Sequence, residues 1–363
     1  GTFAAGFYLM PAFGLARTAM AGGIVLALLP FILLLRIRHY AALLYPLGIA
    51  LLLLPGAAEK PHPGVRVLYQ SEGLLGQLKV VDISYTDPGT RTHRNDRILF
   101  VNRAGQTWIN LDTGEAVWDY MRYLKTVGSL LPPGARVLLL GLGGGVTARN
   151  MQAIGHSVDS VELDPRIPDV ARRYFGLAPD STVIVDDGRH HLRNTRQRYD
   201  LIVFDVYQAE IPPAHLLTVE TFRDLQQRLN PGGFVVISYT GFLTGSTGYG
   251  ARSIYRTLLE AGYTVNLIPT GAREDARNNI YIATLGEIDF SRPRVPLVVE
   301  GRVQALPDLF VDPALLELDQ AMVLRDDRPI LEKLNLEAAA IWRAGYYRTF
   351  TRPFLDMGIP LFE

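Results

Sequence analysis

The chain has 363 residues with 36 basic and 36 acidic side chains, no cysteine and 48% hydrophobic residues. This length suits one large or two medium domains. Zero net charge gives no support for a nucleic-acid partner, and the lack of cysteine excludes disulfides and thiolate metal sites while leaving the compartment open.

Much of the hydrophobic content precedes Ala58. Thr18 to Leu35 contains no charged residue and is long enough to suggest a membrane-spanning helix. Arg36-Ile37-Arg38-His39-Tyr40 follows as a basic, aromatic-tipped connection of the kind found at a membrane interface. Ala41 to Leu54 is a second apolar run and Gly1 to Leu15 a third, with small residues such as Gly6, Gly14, Gly22 and Gly23 suited to close packing in lipid. A signal peptide would have one apolar core and a cleavage site, whereas Arg17 and Arg36/Arg38 here separate two or three runs. Residues 1–57 are therefore expected to be a transmembrane helical region of two or three spans. The chain starts without Met, which leaves room for further spans before Gly1. By charge alone, Arg36, Arg38 and His39 would place the rest of the chain outside; a nucleotide-using enzyme should face the cytoplasm. The expectation taken is a multi-pass protein of the inner (cytoplasmic) membrane with its soluble part on the cytoplasmic side.

Residues 58–128 read as a linker and a small β unit with one helix. Pro61-His62-Pro63-Gly64 is the linker, and Val65 to Tyr69, Gly76 to Ile83 and Arg97 to Val101 alternate with period two, broken by the polar Tyr85 to Asn95. Thr113 to Leu124 has Val117, Met121 and Leu124 at helical spacing. From 129 to 290 strand and helix patterns alternate. Strands fit Val137 to Leu140, Val158 to Val161, Val183 to Val185, Leu201 to Phe204, Phe234 to Ile237, Val265 to Ile268 and Ile280 to Thr284; helices fit Pro168 to Phe175, Thr218 to Leu229 and Tyr249 to Ala261. That alternation implies an α/β fold with a mostly parallel, doubly wound, Rossmann-like sheet. Residues 291–363 read as a helix and loop segment closing the domain.

The first strand runs into Gly141-Leu142-Gly143-Gly144-Gly145 and a helix, and the second ends on Glu162-Leu163-Asp164. Glycines let backbone N–H groups approach a ligand, and an acid at the second strand's tip can take both ribose hydroxyls. The third strand ends in Asp186-Asp187-Gly188 and the fourth in Asp205-Val206-Tyr207-Gln208. Asp187 before Gly188 is also a common turn, and Asp205 could cap a loop. Taken together, acids at three consecutive strand ends mark the crevice where such sheets bind ligands. An NAD site shares the glycines and the first acid, but not the acids on strands three and four.

At these residues the chain, from about Val65 to Leu285, resembles the spermidine synthases (polyamine aminopropyltransferases), in particular a bacterial branch in which that domain follows several transmembrane helices. The resemblance is carried by Val137 to Val146, Val161-Glu162-Leu163-Asp164-Pro165 with Ala171-Arg172-Arg173-Tyr174-Phe175, Asp187-Gly188-Arg189, Tyr199-Asp200 leading to Asp205, Pro213-Ala214-His215-Leu216-Leu217-Thr218, Pro231-Gly232-Gly233 and Ile268-Pro269-Thr270. It implies a class I methyltransferase/spermidine synthase fold and a co-substrate that is S-adenosylmethionine or its decarboxylated form. Glu162 would hold the ribose, Asp187 the adenine amino group and Gln106 the donor, with Gly141, Gly143, Gly144, Asp164 and Gly188 completing the cofactor-binding set. Asp205 would face the reacting amine, with Tyr207 and Gln208 beside it as catalytic candidates. Tyr207 could equally be a packing aromatic, and His215 reads as a structural loop residue.

The departures fall in the polyamine half. Where soluble spermidine synthases have an Asp inside the glycine turn, this chain has Gly143; where a second Asp follows the catalytic one, it has Gln208. A Tyr-Gln pair appears as Leu75-Gly76, and a Tyr-His pair as Trp118-Asp119. A sulfonium donor leaves as a neutral thioether, so transfer needs an uncharged nucleophile behind the carbon and a carboxylate to take its proton. The expected activity is aminopropyl transfer with release of methylthioadenosine. A lyase or cyclase using the donor's own amine or carboxylate, a membrane-tethered methyltransferase and a non-catalytic S-adenosyl sensor are the alternatives. Expected partners are a small-molecule substrate (a polyamine, or the donor alone) and the lipid bilayer, without nucleic acid; a homodimer is left open. Arg325-Asp326-Asp327-Arg328-Pro329 could close over the site but reads first as a solvated turn before a helix. No run has the spacing of a zinc, calcium or haem site, and His190-His191 lacks partner ligands at diagnostic intervals, so no metal is expected.

Overall fold

A computed structural model describes residues 4–37, 40, 48, 63–87, 89–207 and 212–359. The chain divides into two compact units, Gly1–Gly105 with Gly358–Glu363, and Gln106–Met357.

In the first unit, helix α1 (Leu15–Arg36) follows Gly14, whose φ of 81° breaks it from the short helical turns before it. Arg17–Arg36 is, among the described residues, the one helix long and apolar enough to cross a bilayer. Its 20 residues rise about 30 Å at 1.5 Å each, which matches the hydrocarbon core. Val25, Leu26, Leu29 and Leu33 are all more than 60% exposed, so the helix buries no stripe against protein. The expectation of several spans has only this helix behind it. The run Ala41 to Leu54 lies, but for Gly48, outside the described residues, as do Arg38 and His39, and the described residues before Gly14 form Ala5–Leu9 and Met10–Phe13.

The β unit is a meander of β1 (Val65–Gly73), β2 (Gly76–Thr86) and β3 (His93–Val101), and β4 (Ala104–Asn110) carries the chain into the second unit. The polar stretch Tyr85 to Asn95 does not interrupt the strands as expected; only the turn between Thr86 and His93 does. Its polar side chains pair across the ribbon. Tyr85 stands opposite Arg94 and donates its hydroxyl to Asp96 at 3.0 Å, and Arg97 forms two hydrogen bonds to Asp82 at 2.6 and 2.9 Å. Cross-strand pairs of this kind replace the apolar alternation that a sequence reading relies on.

In the second unit, the expected helix from Thr113 starts late: α2 is Tyr120–Gly128. Asn110 Oδ1 accepts from the N–H groups of Asp112 and Thr113, and Val117 N–H donates to Trp108 at 2.8 Å. An Asx turn at a positive-φ Gly114 has therefore claimed the backbone that a helix would need.

The remaining elements are β5 (Arg136–Leu140), α3 (Val146–Ala153), β6 (Ser157–Glu162), α4 (Ile167–Phe175), β7 (Thr182–Val185), α5 (Gly188–Asn194), β8 (Tyr199–Phe204), α6 (Val219–Gln226), β9 (Leu229–Thr240), α7 (Tyr249–Glu260), β10 (Thr264–Pro269) and β11 (Asn278–Thr284). They form a Rossmann-like seven-stranded sheet in the order β10-β11-β9-β8-β5-β6-β7. Strands β5 to β9 pair in parallel, as the buried runs Val137–Leu140 and Leu201–Phe204 imply, whereas β11 runs antiparallel to both β9 and β10. Eight residues, 270–277, join β10 to β11; a parallel crossover takes about a dozen or more, so the chain reverses. Leu138, Leu140, Ile202, Phe204, Val235, Ile237 and Tyr281 form the centre of the core, all at most 3% exposed.

Beyond the sheet, β12 (Leu297–Val299) and β13 (Arg302–Gln304) form a hairpin, and α8 (Leu336–Tyr346) is the main helix of the closing segment. The turn at Arg325 to Pro329 is more than a solvated turn. Asp326 takes a two-pronged hydrogen bond from the buried Arg189 guanidinium, both at 2.5 Å, and another from Thr218 at 2.7 Å. This clamps the C-terminal segment to α5 and the start of α6, and the Arg189 hydrogen bond holds the Asp326 carboxyl below its usual range.

Candidate active site

The carboxyl ends of β5, β6, β7 and β8 deliver their residues to one edge of the sheet. After β5 the chain turns through Gly141, whose φ is 87°. A Cβ on Gly141 would lie 2.3 Å from the Asp205 carbonyl oxygen, so the first and fourth strand ends can touch only through glycine. Gly144 is similarly confined: its Cβ would lie 2.7 Å from Thr107, and its N–H donates to Thr107 Oγ1 at 2.8 Å. Gly143 lies between them at φ 51°, facing the same Thr107 hydroxyl. Gln106 is the half-buried neighbour of Thr107 in β4.

Glu162 ends β6 with its carboxylate turned onto the glycine turn. Its oxygens accept from the N–H groups of Leu142 at 3.0 Å and Asp164 at 2.9 Å. Burial pushes its carboxyl above the ordinary value, against those backbone hydrogen bonds. Asp164, expected to help bind the cofactor, pairs with Arg166 at 2.6 Å and accepts that residue's backbone N–H at 3.0 Å. Asp187 caps α5: Oδ1 accepts from the N–H groups of Arg189 and His190, at 3.0 and 2.9 Å, and Oδ2 lies 3.2 Å from His215 Nε2. Burial would raise its carboxyl, but those donors outweigh burial and hold it low. Gly188 is the first residue of that helix. His215, read as a structural loop residue, is thus a direct partner of a candidate binding residue.

Asp205 is surrounded differently. Thr147 Oγ1, on α3, donates to its Oδ2 at 3.0 Å, and the Tyr120 hydroxyl, from α2, lies 3.3 and 3.4 Å from its two oxygens. Burial raises this carboxyl to about 6, and the Thr147 and Tyr120 hydrogen bonds moderate the rise. Tyr120 itself is pushed well above the ordinary phenol value, by burial first and then by the Asp205 charge, so it stays a donor. Tyr207 is not simply a packing aromatic. Its hydroxyl accepts from Thr240 Oγ1 at 3.3 Å and Asn278 Nδ2 at 3.2 Å and lies 3.5 Å from Ser238 Oγ. Gln208 lies outside the described residues.

Sequence reasoning missed Tyr120, Thr147, Ser238, Thr240 and Asn278. For Ser238, Thr240 and Asn278 the one available signal was strand pairing, since Asn278 stands opposite Thr240 in the β11–β9 register. No cluster of three His, Asp or Glu able to hold a metal occurs among the described residues.

Residues 119–244 match the family model of the spermine/spermidine synthase domain. A probable polyamine aminopropyl transferase of Bifidobacterium longum is 29% identical over 172 residues, 47% of this chain and 36% of its own length. An N-terminal histidine N-methyltransferase of Emericella nidulans is 31% identical over 144 residues, 38% of this chain and 24% of its own length. This chain therefore spans about a third or less of either relative. Among solved structures, a probable spermidine synthase from Corynebacterium glutamicum superposes with a TM-score of 0.53 at 21% identity, covering 74% of this chain and 97% of that one, a likeness of fold.

Proposed function

Because this chain is a relative of the spermidine synthase family through its domain at residues 119–244, we propose that it is an aminopropyltransferase-like enzyme that cleaves an S-adenosyl sulfonium donor and releases methylthioadenosine. The observation that carries the proposal is Asp205: a half-buried carboxylate at the fourth strand end, held by two hydroxyls, with its carboxyl raised to about 6. Such a group accepts a proton at neutral pH and can release it again. In the reaction, the nitrogen of an amine attacks the carbon next to the sulfonium, the C–S bond breaks and its electron pair stays on sulfur. The proton lost from nitrogen goes to Asp205. The glycine turn, Glu162 and Asp187 hold the adenosyl group, with the Glu162 carboxylate, oriented by the Leu142 and Asp164 N–H groups, accepting from the ribose hydroxyls.

Helix α1 supports a membrane anchor by its length and exposed apolar surface. Retention of the full chain in the membrane pellet after alkaline extraction tests the anchor; release into the supernatant would refute it.

Purified protein given decarboxylated S-adenosylmethionine and putrescine should release methylthioadenosine, and Asp205→Asn should slow release by about 10²–10⁴-fold while keeping methylthioadenosine binding. Full turnover by that variant would remove Asp205 from the mechanism.

A further inference from the structure

Asp326 stands beyond the residues that match the family domain, 119–244, yet a continuous line of hydrogen bonds leads from it to Asp187. Its two carboxylate oxygens face the two terminal nitrogens of the Arg189 guanidinium. Arg189 is 7% exposed, so the pair forms where water screens it little. Arg189 Nη1 also donates to the His215 carbonyl oxygen at 2.8 Å, and Thr221 Oγ1 donates to that same oxygen at 2.8 Å. The His215 ring then reaches Asp187, with Nε2 3.2 Å from Oδ2. Thr218 ties the arrangement from the side: its hydroxyl donates to Asp326 Oδ1 at 2.7 Å and accepts from Arg189 at 3.3 Å. The turn itself is fixed, since the Asp326 N–H donates to Glu220 at 3.0 Å.

The two oxygens of Asp187 have different tasks. Oδ1 takes the N–H groups of Arg189 and His190 that begin α5, which leaves Oδ2 for a ligand. An ionised carboxylate only accepts, so His215 Nε2 is the donor to Oδ2, and the ring sets which way the remaining lone pair faces. That lone pair accepts an amino hydrogen and repels a carbonyl oxygen. The His215 side chain is 49% exposed, so packing does not hold the ring, and the buried Ala214 and Leu216 on either side fix only the path of the chain. The His215 peptide is oriented by the two donors on its carbonyl, of which Arg189 is the charged one. We infer that Asp326 is a positioning residue for nucleobase recognition: it fixes the Arg189 guanidinium, Arg189 orients His215, and His215 aims the Asp187 oxygen that separates a 6-amino purine from a 6-oxo purine. The inference rests on the adenosyl reading of the crevice and extends it to a residue of the C-terminal segment.

Calorimetric titration of the full chain with methylthioadenosine and with its 6-oxo analogue, methylthioinosine, tests the line of bonds. The unaltered chain should bind the 6-amino compound at least about tenfold more tightly, because the 6-oxo oxygen would face Oδ2 unpaired. Asp326→Asn sets an NH2 group against a guanidinium nitrogen and should shrink that preference by about two- to tenfold, the net worth of one hydrogen bond. Breaking one side of a buried ion pair can unfold a chain, so Arg189→Met combined with Asp326→Leu is measured as well; it removes both charges together and should shrink the preference as much. His215→Ala should do the same by itself, and adding Asp326→Asn to it should change nothing more. A preference that survives in either folded variant, or a loss that adds to that of His215→Ala, overturns the inference and leaves the adenosyl reading standing. Equal binding of the two nucleosides by the unaltered chain, or binding of neither, removes Asp187 from nucleobase recognition, and the role of Asp326 falls with it.

Discussion

The two halves of the crevice use their acids in opposite ways. On the glycine-turn side each carboxylate has strong donors: Glu162 the N–H groups of Leu142 and Asp164, Asp164 the Arg166 guanidinium, and Asp187 a helix N-terminus and His215. On the other side, the donors to Asp205 among the described residues are two hydroxyls. Carboxylates fixed by backbone N–H groups and cations orient a ligand; Asp205, held by hydroxyls and raised by burial to about 6, can take a proton near neutral pH. The difference separates holding from chemistry within one sheet edge.

The largest test of that contrast is Asp205→Asn. Turnover should fall by about 10²–10⁴-fold, the usual worth of a positioned base, while stability at pH 7 rises. The sign follows from the raised carboxyl. Between its unfolded value near 3.8 and about 6 the folded chain binds the proton more tightly, so its contribution to stability is present below that window and lost as pH rises through it. Removing the ionised group should then stabilise the protein at pH 7 by up to about 3 kcal/mol in urea unfolding. A destabilised variant would break the contrast.

Next in size is Gly141→Ala. Its Cβ, at φ 87° and 2.3 Å from the Asp205 carbonyl, must push the two strand ends apart. A stability loss of about 1–3 kcal/mol and at least a tenfold loss of methylthioadenosine affinity are expected, read by urea unfolding and calorimetry. Unchanged affinity would mean that the turn does not shape the site.

The pH profile sharpens the comparison further. kcat/KM should rise with pH through an inflection near 6, the value to which burial raises Asp205. Thr147→Val should move that inflection upward, because the lost hydroxyl favours the ionised form. An inflection that stays in place would separate Thr147 from the base. The smallest effect is expected from His215→Ala, which removes one of several donors to Asp187. Methylthioadenosine affinity should fall by about two- to tenfold, the net worth of one hydrogen bond, with the Asp205 inflection unmoved.

Much of the second unit was legible because its strands are continuous apolar runs ending in turn residues. Val137–Leu140 and Leu201–Phe204 lie within β5 and β8, and the glycines and three acids follow at the same sheet edge. What escaped reading depends on residues far apart in the chain. The reversal of β11 follows from the length of its connection, and it brings Asn278 to Thr240 and Ser238 across 38 and 40 residues. Tyr120 and Thr147 reach Asp205 from 85 and 58 residues away, and neither residue type signals such a role by itself. The late start of α2 was hidden for the opposite reason: the helical spacing of Val117, Met121 and Leu124 is genuine, but local side-chain hydrogen bonds at Asn110 win the backbone first.

The central claim, cleavage of a sulfonium donor on the side remote from the methyl group, is tested most directly by identifying the nucleoside that the purified full chain makes. The protein is incubated with S-adenosylmethionine or its decarboxylated form, each with and without putrescine, and the products are read by mass spectrometry. The account predicts methylthioadenosine, formed about 10²–10⁴-fold more slowly by Asp205→Asn. S-adenosylhomocysteine would contradict it and make the chain a methyltransferase.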